Sequence, residues 1–212
     1  KSATSAQSGA AAAGAGVAAA GAAGTVGLST PVGKQAADNA ESTASKYEPQ
    51  NHVVAGADTV HVETTSGKKD ATVVFYDPDT DLAVLHVPDL GLPTLPWATD
   101  AATTGDDAVV MGFPEGGPFE ARPVRIRDKI MVNGPNIYAS TRLDRETYSL
   151  RGTIRHGNSG GPLVNPDGEV LGVIFGTAID ESETGYALTA DEVISTIGEF
   201  STREVDTGAC VA

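Results

Sequence analysis

The sequence predicts an all-β protein, an antiparallel barrel or sandwich with one short helix near its end, and three observations carry that expectation. From residue 51 onward, short runs of β-branched and aliphatic residues alternate with turn residues, the pattern of antiparallel barrels and sandwiches. Asn165-Pro166-Asp167-Gly168 separates two of these runs; Pro presets φ and Gly accepts φ > 0, so the chain turns there for a physical reason. Apolar residues make up 40% of the 212 positions, enough for a core, although alanine inflates that share and only 5% are aromatic.

The elements follow in order. Residues 59–64 alternate apolar and polar, while 71–76 and 82–87 are β-branched or aliphatic. Residues 108–113 form another run, closed by Pro114, Gly116 and Gly117. Further strands are expected at 124–132, 148–154, 162–164 and 169–175. The helix is placed by Thr189 and Glu192, a capping-box pair ahead of Val193, Ile194 and Ile197.

Residues 1–50 differ in kind. Of these 50 positions, 33 are Ala, Gly, Ser or Thr, and such small side chains bury too little surface to hold a core alone. Their charges cancel, Lys1, Lys34 and Lys46 against Asp38, Glu41 and Glu48, so the net −14 belongs to residues 51–212. The boundary falls near 47–51. Between Lys1 and Lys34 there is no charge, a length that could cross a bilayer, yet Ala and Gly insert weakly and would need close-packing partner helices. A flexible tether is the plainer reading. The basic and Leu-rich segments of a signal peptide are not evident after Lys1. The acidic balance argues against nucleic acid as a partner, since nothing concentrates positive charge against phosphates. A single cysteine, Cys210, excludes a multi-disulfide scaffold or a Cys-based metal cluster within one chain.

Chemistry is concentrated in Gly157-Asn158-Ser159-Gly160-Gly161-Pro162. Glycines on both sides let the chain turn sharply, keep the serine hydroxyl uncrowded and allow main-chain N–H groups to converge on a carbonyl oxygen. A serine is a poor nucleophile without a base and a group that orients the base. All four histidines, His52, His61, His86 and His156, precede Ser159. In α/β-hydrolases, which share the G-x-S-x-G elbow, acid and histidine follow the serine; a subtilisin order needs an Asp before the His, where only Asp38 stands. The order His…Asp…Ser fits the chymotrypsin arrangement. His156 remains the competing base, and Asp77 and Asp79 the competing carboxylates, since Asp beside Pro commonly serves turns. Asp81 leads because an apolar run begins immediately after it.

Asn51-His52-Val53-Val54-Ala55-Gly56, Asp77-Pro78-Asp79-Thr80-Asp81-Leu82-Ala83-Val84-Leu85 and the serine block, in that order, resemble the three catalytic blocks of bacterial trypsin-like serine proteases, near the HtrA (Deg) branch. The segments Val170-Leu171-Gly172-Val173-Ile174-Phe175-Gly176, Glu183-Thr184-Gly185-Tyr186-Ala187-Leu188 and Thr207-Gly208-Ala209-Cys210 are similar, more narrowly, to a membrane-tethered periplasmic group of actinobacterial members linked to acid resistance. The resemblance covers residues 51–212. It implies two perpendicular six-stranded antiparallel β-barrels, the first over 51–117 and the second over 118–212, with the site in the cleft between them. It implies His52 as general base, Asp81 as its orienting carboxylate, Ser159 as nucleophile and the N–H groups of Gly157 and Ser159 as oxyanion hole. Thr153 would lie at the floor of the S1 pocket, with Phe175, Gly176, Thr177 and Gly185 lining it or pairing with an extended substrate. No metal or organic cofactor is needed, and the implied partner is a protein or peptide substrate of the cell envelope, with a membrane tether or membrane-protein partner in view.

Three departures from the family stand out. Upstream of His52, Gly24-Thr25-Val26-Gly27-Leu28-Ser29 is a faint echo of a strand block, so the first barrel is expected to be incomplete as read, and residues 1–50 are a linker, an anchor, or not the natural sequence of that region. The counterpart of Cys210 in the narrower group is expected to pair with a cysteine ahead of the catalytic His, whereas this chain has no second one. Nothing after residue 200 reads as a PDZ-like module. These departures keep a second reading open, a catalytically silent subunit that binds a membrane or envelope complex. If the enzyme reading holds, the neutral Thr153 predicts cleavage after small or medium uncharged P1 residues; a peptide-library screen dominated by Lys or Arg at P1 would overturn it.

Overall fold

The computed structural model describes residues 54–64, 67–177 and 183–210. Within them the chain forms β1 (Val60–Thr64), β2 (Gly67–Asp77), β3 (Leu82–His86), β4 (Asp107–Gly112), β5 (Glu120–Pro135), β6 (Arg142–Arg151), β7 (Pro162–Val164), β8 (Val170–Thr177), β9 (Thr184–Thr189) and one helix, α1 (Ala190–Ile197). Strands β1, β2 and β3 make an antiparallel three-stranded sheet, and β4-β5-β6-β9-β8-β7 close into a six-stranded barrel. The closed barrel meets the sequence expectation. The first unit appears as the three-stranded sheet, and the upstream stretch 24–29 lies outside the described residues.

The division between the two units falls earlier than 117/118. Strand β4 pairs with β5 along its whole length and with β7 through Val109 and Val110, so it belongs to the barrel. Its side chains explain why the run alone was ambiguous: Ala108 and Val110 fill the barrel interior, while Met111 joins the cluster built on β1, β2 and β3. Apolar on both faces, β4 carries no mark of which sheet it pairs with.

Strand β9 escaped the sequence reading, although its residues belong to one of the quoted family segments. Gly185 interrupts its apolar run, and glycine is a poor strand former. The structure supplies the reason for that glycine. A Cβ there would overlap Ile154, whose side chain covers the buried strand.

The helix is capped as expected from one side only. Thr189 Oγ1 accepts the Glu192 N–H at 3.1 Å, whereas the Glu192 carboxylate turns to the Glu146 N–H of β6 at 3.3 Å. Half the capping box thus becomes a tie between helix and barrel. The Asn165 turn forms as predicted: Gly168 takes φ +87°, its N–H reaches the Asn165 carbonyl at 3.0 Å, and Asn165 Oδ1 accepts from Asp167 N–H at 3.0 Å and Glu169 N–H at 2.8 Å.

Strand β8 joins the two units. Leu171 and Ile174 point into the barrel core, while Val173 packs with Leu82 and Val84 of β3 and with Val193 and Ile197 of α1. Gly172 lets β9 come close, because a Cβ there would sit well inside contact with the Leu188 carbonyl oxygen. At Gly176 a Cβ would meet nothing within 4 Å. Gly172→Ala is therefore expected to cost about 1–3 kcal/mol, as overpacking does, and Gly176→Ala much less; urea midpoints in the reverse order would refute this account of β8.

Candidate active site

The carboxylate block forms the turn between β2 and β3. Asp77 closes it, its Oδ1 accepting the Asp79 N–H at 3.1 Å and its Oδ2 the Thr80 hydroxyl at 2.6 Å. Asp79 is committed elsewhere, with Oδ1 accepting from Asn136 Nδ2 at 2.9 Å and from the Thr141 hydroxyl at 3.2 Å. Both rivals of Asp81 are thus spent on structure. Asp81 itself ends the turn with φ +61°, a left-handed backbone that non-glycine residues adopt only when their surroundings hold them there, and Leu82 then enters β3.

The serine block lies between β6 and β7, and its turn is locked on both sides. Asn158 is buried at 1% exposure; its N–H reaches the Arg155 carbonyl at 3.0 Å, and its Oδ1 accepts the Arg155 N–H at 3.0 Å. Gly157 takes φ +86°, and a Cβ there would overlap the Phe113 carbonyl and sit 2.9 Å from the Glu115 nitrogen. The 3-10 turn Pro114–Gly116 after β4 therefore roofs the loop, fastened by the Glu115 N–H on the His156 carbonyl at 2.8 Å. In the sequence, residues 114–117 mark only the close of a strand.

Downstream, the Gly160 N–H bonds the Ile174 carbonyl at 2.7 Å and the Ile174 N–H bonds the Gly161 carbonyl at 2.9 Å, while Gly161 N–H donates to Asn158 at 2.9 Å. The amides of residues 158, 160 and 161 are consumed in this way. Among the described residues, those of Gly157 and Ser159 donate to no acceptor. Asp81 and Ser159 are held by neighbouring residues of one strand: Leu82 packs on Val173, and Gly160 bonds Ile174.

His52 lies outside the described residues. The other histidines have visible places. His61 in β1 sits 2.8 Å from Asp70 of β2, directly across the hairpin; His86 ends β3 opposite Thr72; His156 is exposed in the serine turn. Thr153 is exposed ahead of that turn. Phe175 in β8 packs its ring 6.2 Å from that of Tyr186 in β9. Gly176 and Thr177 end β8, and Gly185 lies buried beneath Ile154. Among the described residues no cluster of three or more His, Cys, Asp or Glu is placed to hold a metal ion, and no helix is long and apolar enough to cross a membrane.

The C-terminal segment runs back over the first sheet. The Val205 N–H bonds the Val73 carbonyl at 3.0 Å and the Gly56 N–H bonds the Thr207 carbonyl at 3.3 Å. The exposed Cys210 thiol points at the Gly56 carbonyl, 3.6 Å away, four residues along the chain from His52.

A barrel with a two-sided strand, an acidic turn at the joint and a locked serine elbow define a trypsin-like protease fold, and the family comparison agrees: residues 50–173 match the trypsin-like peptidase domain, and the chain belongs to that family. Among particular proteins, it is 48% identical to the serine protease Rv3671c of Mycobacterium tuberculosis over 163 residues, 76% of this chain and 41% of that one. It superposes on the crystal structure of the active form of that protease with a TM-score of 0.73 at 47% identity, covering 77% of this chain and 73% of the crystallised one. With the inactive form the TM-score is 0.65, over 71% and 78% of the two chains. It is also 36% identical over 138 residues to the "Probable periplasmic serine endoprotease DegP-like" of Chlamydia pneumoniae, 64% of this chain and 27% of that one. The Do-like HtrA serine protease of Lactococcus lactis subsp. cremoris is 30% identical over 166 residues, 71% of this chain and 40% of that one. The chain thus spans less than half the length of these curated relatives.

The serine turn makes a local prediction. Asn158→Ala should lower stability by about 1 kcal/mol for the lost side-chain bond and speed amide exchange in residues 155–160, leaving β5 and β6 unchanged. Hydrogen-exchange mass spectrometry showing uniform acceleration would refute a local latch.

Proposed function

We propose that this chain carries the catalytic domain of an extracytoplasmic serine endopeptidase that cleaves peptide bonds through His52, Asp81 and Ser159. The observation that carries the reading is the locked elbow around Ser159, with two amides, on either side of a buried asparagine, that bond no acceptor among the described residues. Membership of the trypsin-like family supports it, as does 48% identity to a protein named a serine protease. Localisation outside the cytoplasm rests on the Chlamydia pneumoniae relative, which is named a periplasmic serine endoprotease.

In the reaction, His52 takes the proton of Ser159 as its oxygen attacks the substrate carbonyl carbon. Asp81 holds the imidazole in the tautomer that can accept this proton and stabilises the imidazolium that results. The carbonyl oxygen becomes an oxyanion and accepts from the N–H groups of Gly157 and Ser159, donors worth about 3–4 kcal/mol each where such groups have been removed in other enzymes. His52 then protonates the leaving amine. Water, activated by the same imidazole, hydrolyses the acyl-enzyme and restores the serine. Thr153 provides an uncharged pocket floor, with Phe175, Gly176, Thr177 and Gly185 around it; the end of β8 is suited to pairing with an extended substrate by strand addition.

The test is reaction with a fluorophosphonate probe at neutral and mildly acidic pH. Labelling is expected in the wild type and absent in Ser159→Ala, and Asp81→Asn should lower the rate by about 10⁴-fold. No labelling of the wild type would leave the catalytically silent, envelope-binding subunit as the better reading.

A further inference from the structure

Resting on that reading, we propose that the β5–β6 hairpin, through Arg145 and Asn136, is the positioning element for the carboxylate of Asp81. Arg145 belongs to β6 of the barrel, yet its guanidinium reaches the carboxylate turn of the other unit. Nε donates to the Asp79 carbonyl at 3.2 Å, Nη2 donates to the same oxygen, and Nη2 also donates to the Pro135 carbonyl at 2.9 Å. Arg145 as a whole is only 5% exposed. A buried cation is costly unless negative charge compensates it, and its hydrogen bonds go to neutral carbonyls.

The compensating charge comes from the acidic turn. Burial pulls the proton affinity of Arg145 down, and Asp81, then Asp77, Asp79 and Glu192, pull it back up. Asp81 contributes most among these carboxylates, so the guanidinium and the Asp81 carboxylate attract one another across the joint. At Gly134 of β5 a Cβ would lie 2.9 Å from Arg145 Nη1, so the guanidinium packs close against the bare backbone of that strand.

The hairpin tip completes the fastening. The Ile137 N–H donates to the Pro78 carbonyl at 3.2 Å. Asn136 is 7% exposed and spends one Nδ2 hydrogen on Asp79 Oδ1 at 2.9 Å and the other on the Ser140 hydroxyl at 3.0 Å, while its Oδ1 accepts the Ser140 N–H at 2.9 Å. The positive φ at Asp81 therefore persists because the residues just ahead of it are held from the opposite unit. Arg145, Asn136 and Thr141 hold Asp79, the Ile137 N–H holds Pro78, and Asp81 follows two residues later.

The test compares steady-state cleavage of a chromogenic peptide with the rate of fluorophosphonate labelling at Ser159, folding being checked by circular dichroism. Arg145→Met is expected to lower kcat and the labelling rate by about 100-fold, the scale of a misplaced catalytic group, with KM within threefold of wild type. Arg145→Lys, which keeps the charge but loses the planar fork, should fall between the two. In an Asp81→Asn background, Arg145→Met should have almost no further effect, because both changes act on one unit. A folded Arg145→Met with kcat within threefold of wild type would overturn the inference, as would a rise in KM alone or a full loss persisting in the Asp81→Asn background. If Arg145→Met does not fold, Asn136→Ala decides, with about tenfold lower kcat expected and unchanged kcat overturning the inference. A wild type that shows no Ser159-dependent labelling sinks the enzyme reading and the inference together; a labelled wild type with an unaffected variant sinks the inference alone.

Discussion

The structure depends on one strand serving two cores. Residues 171, 173 and 174 of β8 divide their side chains between the barrel interior and the contact with β3 and α1, and the strand's backbone also clasps the serine turn through Ile174. Because β8 carries an extra residue at Leu171 between its pairings Val164–Val170 and Leu163–Gly172, Leu171 and Ile174 reach one core while Val173 reaches the other, and a single stretch of backbone can seal the barrel, seat the three-stranded sheet and anchor the candidate nucleophile. A register slip of one residue would exchange Val173 with its neighbours and break all three at once. The backbone bond at Ile174, itself 0% exposed beside Val173 at 1%, leaves little room for such slippage.

Charge follows the same division. The described fold carries the acidity of the chain on its surface, yet at the joint of the two units the carboxylates gather round a buried arginine. The turn bearing Asp77, Asp79 and Asp81 needs cationic and hydrogen-bonding partners that a three-stranded sheet cannot supply from within. The barrel provides them through its longest hairpin, whose outer half runs from the Lys129–Tyr148 pair to Pro135–Arg142. Tyr138 at the tip adds to this contact: its hydroxyl lies 3.3 Å from that of Tyr76 and donates to the Ala209 carbonyl at 3.0 Å. Burial and the hydrogen bond between the Tyr76 and Tyr138 hydroxyls push the Tyr76 phenol well above its ordinary range, so it stays neutral beside the acidic turn. The C-terminal segment, the hairpin and the carboxylate turn therefore share one packed corner.

Much of this was legible in the residues. Strand β7 was read to the residue, and β1, β2, β3, β4 and β8 to within a few, because each combines β-branched runs with turn residues that have specific conformational uses. Strands β5 and β6 were placed but underestimated in length: their outer halves are polar and exposed, so periodicity faded where the hairpin projects. Strand β9 was not assigned, because Gly185 looks like a break until Ile154 is seen above it. Arg145 was overlooked although it shares a strand face with Leu143, Thr147 and Ser149. A charged residue in that phase is a signal, but it names no partner.

Sequence alone determined the all-β class, the order of the candidate catalytic residue types and the nomination of Ser159 as candidate nucleophile, since glycine placement and histidine order are properties of the linear chain. Tertiary structure decided that Asp77 and Asp79 are occupied by structure, which amides near Ser159 bond described residues, where β4 belongs and what holds the acidic turn. These questions concern residues such as Asp79 and Arg145, 66 positions apart, or Gly157 and Phe113, whose contact exists only once two loops are stacked. Local propensity acts over a few residues. Hydrogen-bond saturation and close packing are settled by whichever groups the completed fold brings within reach.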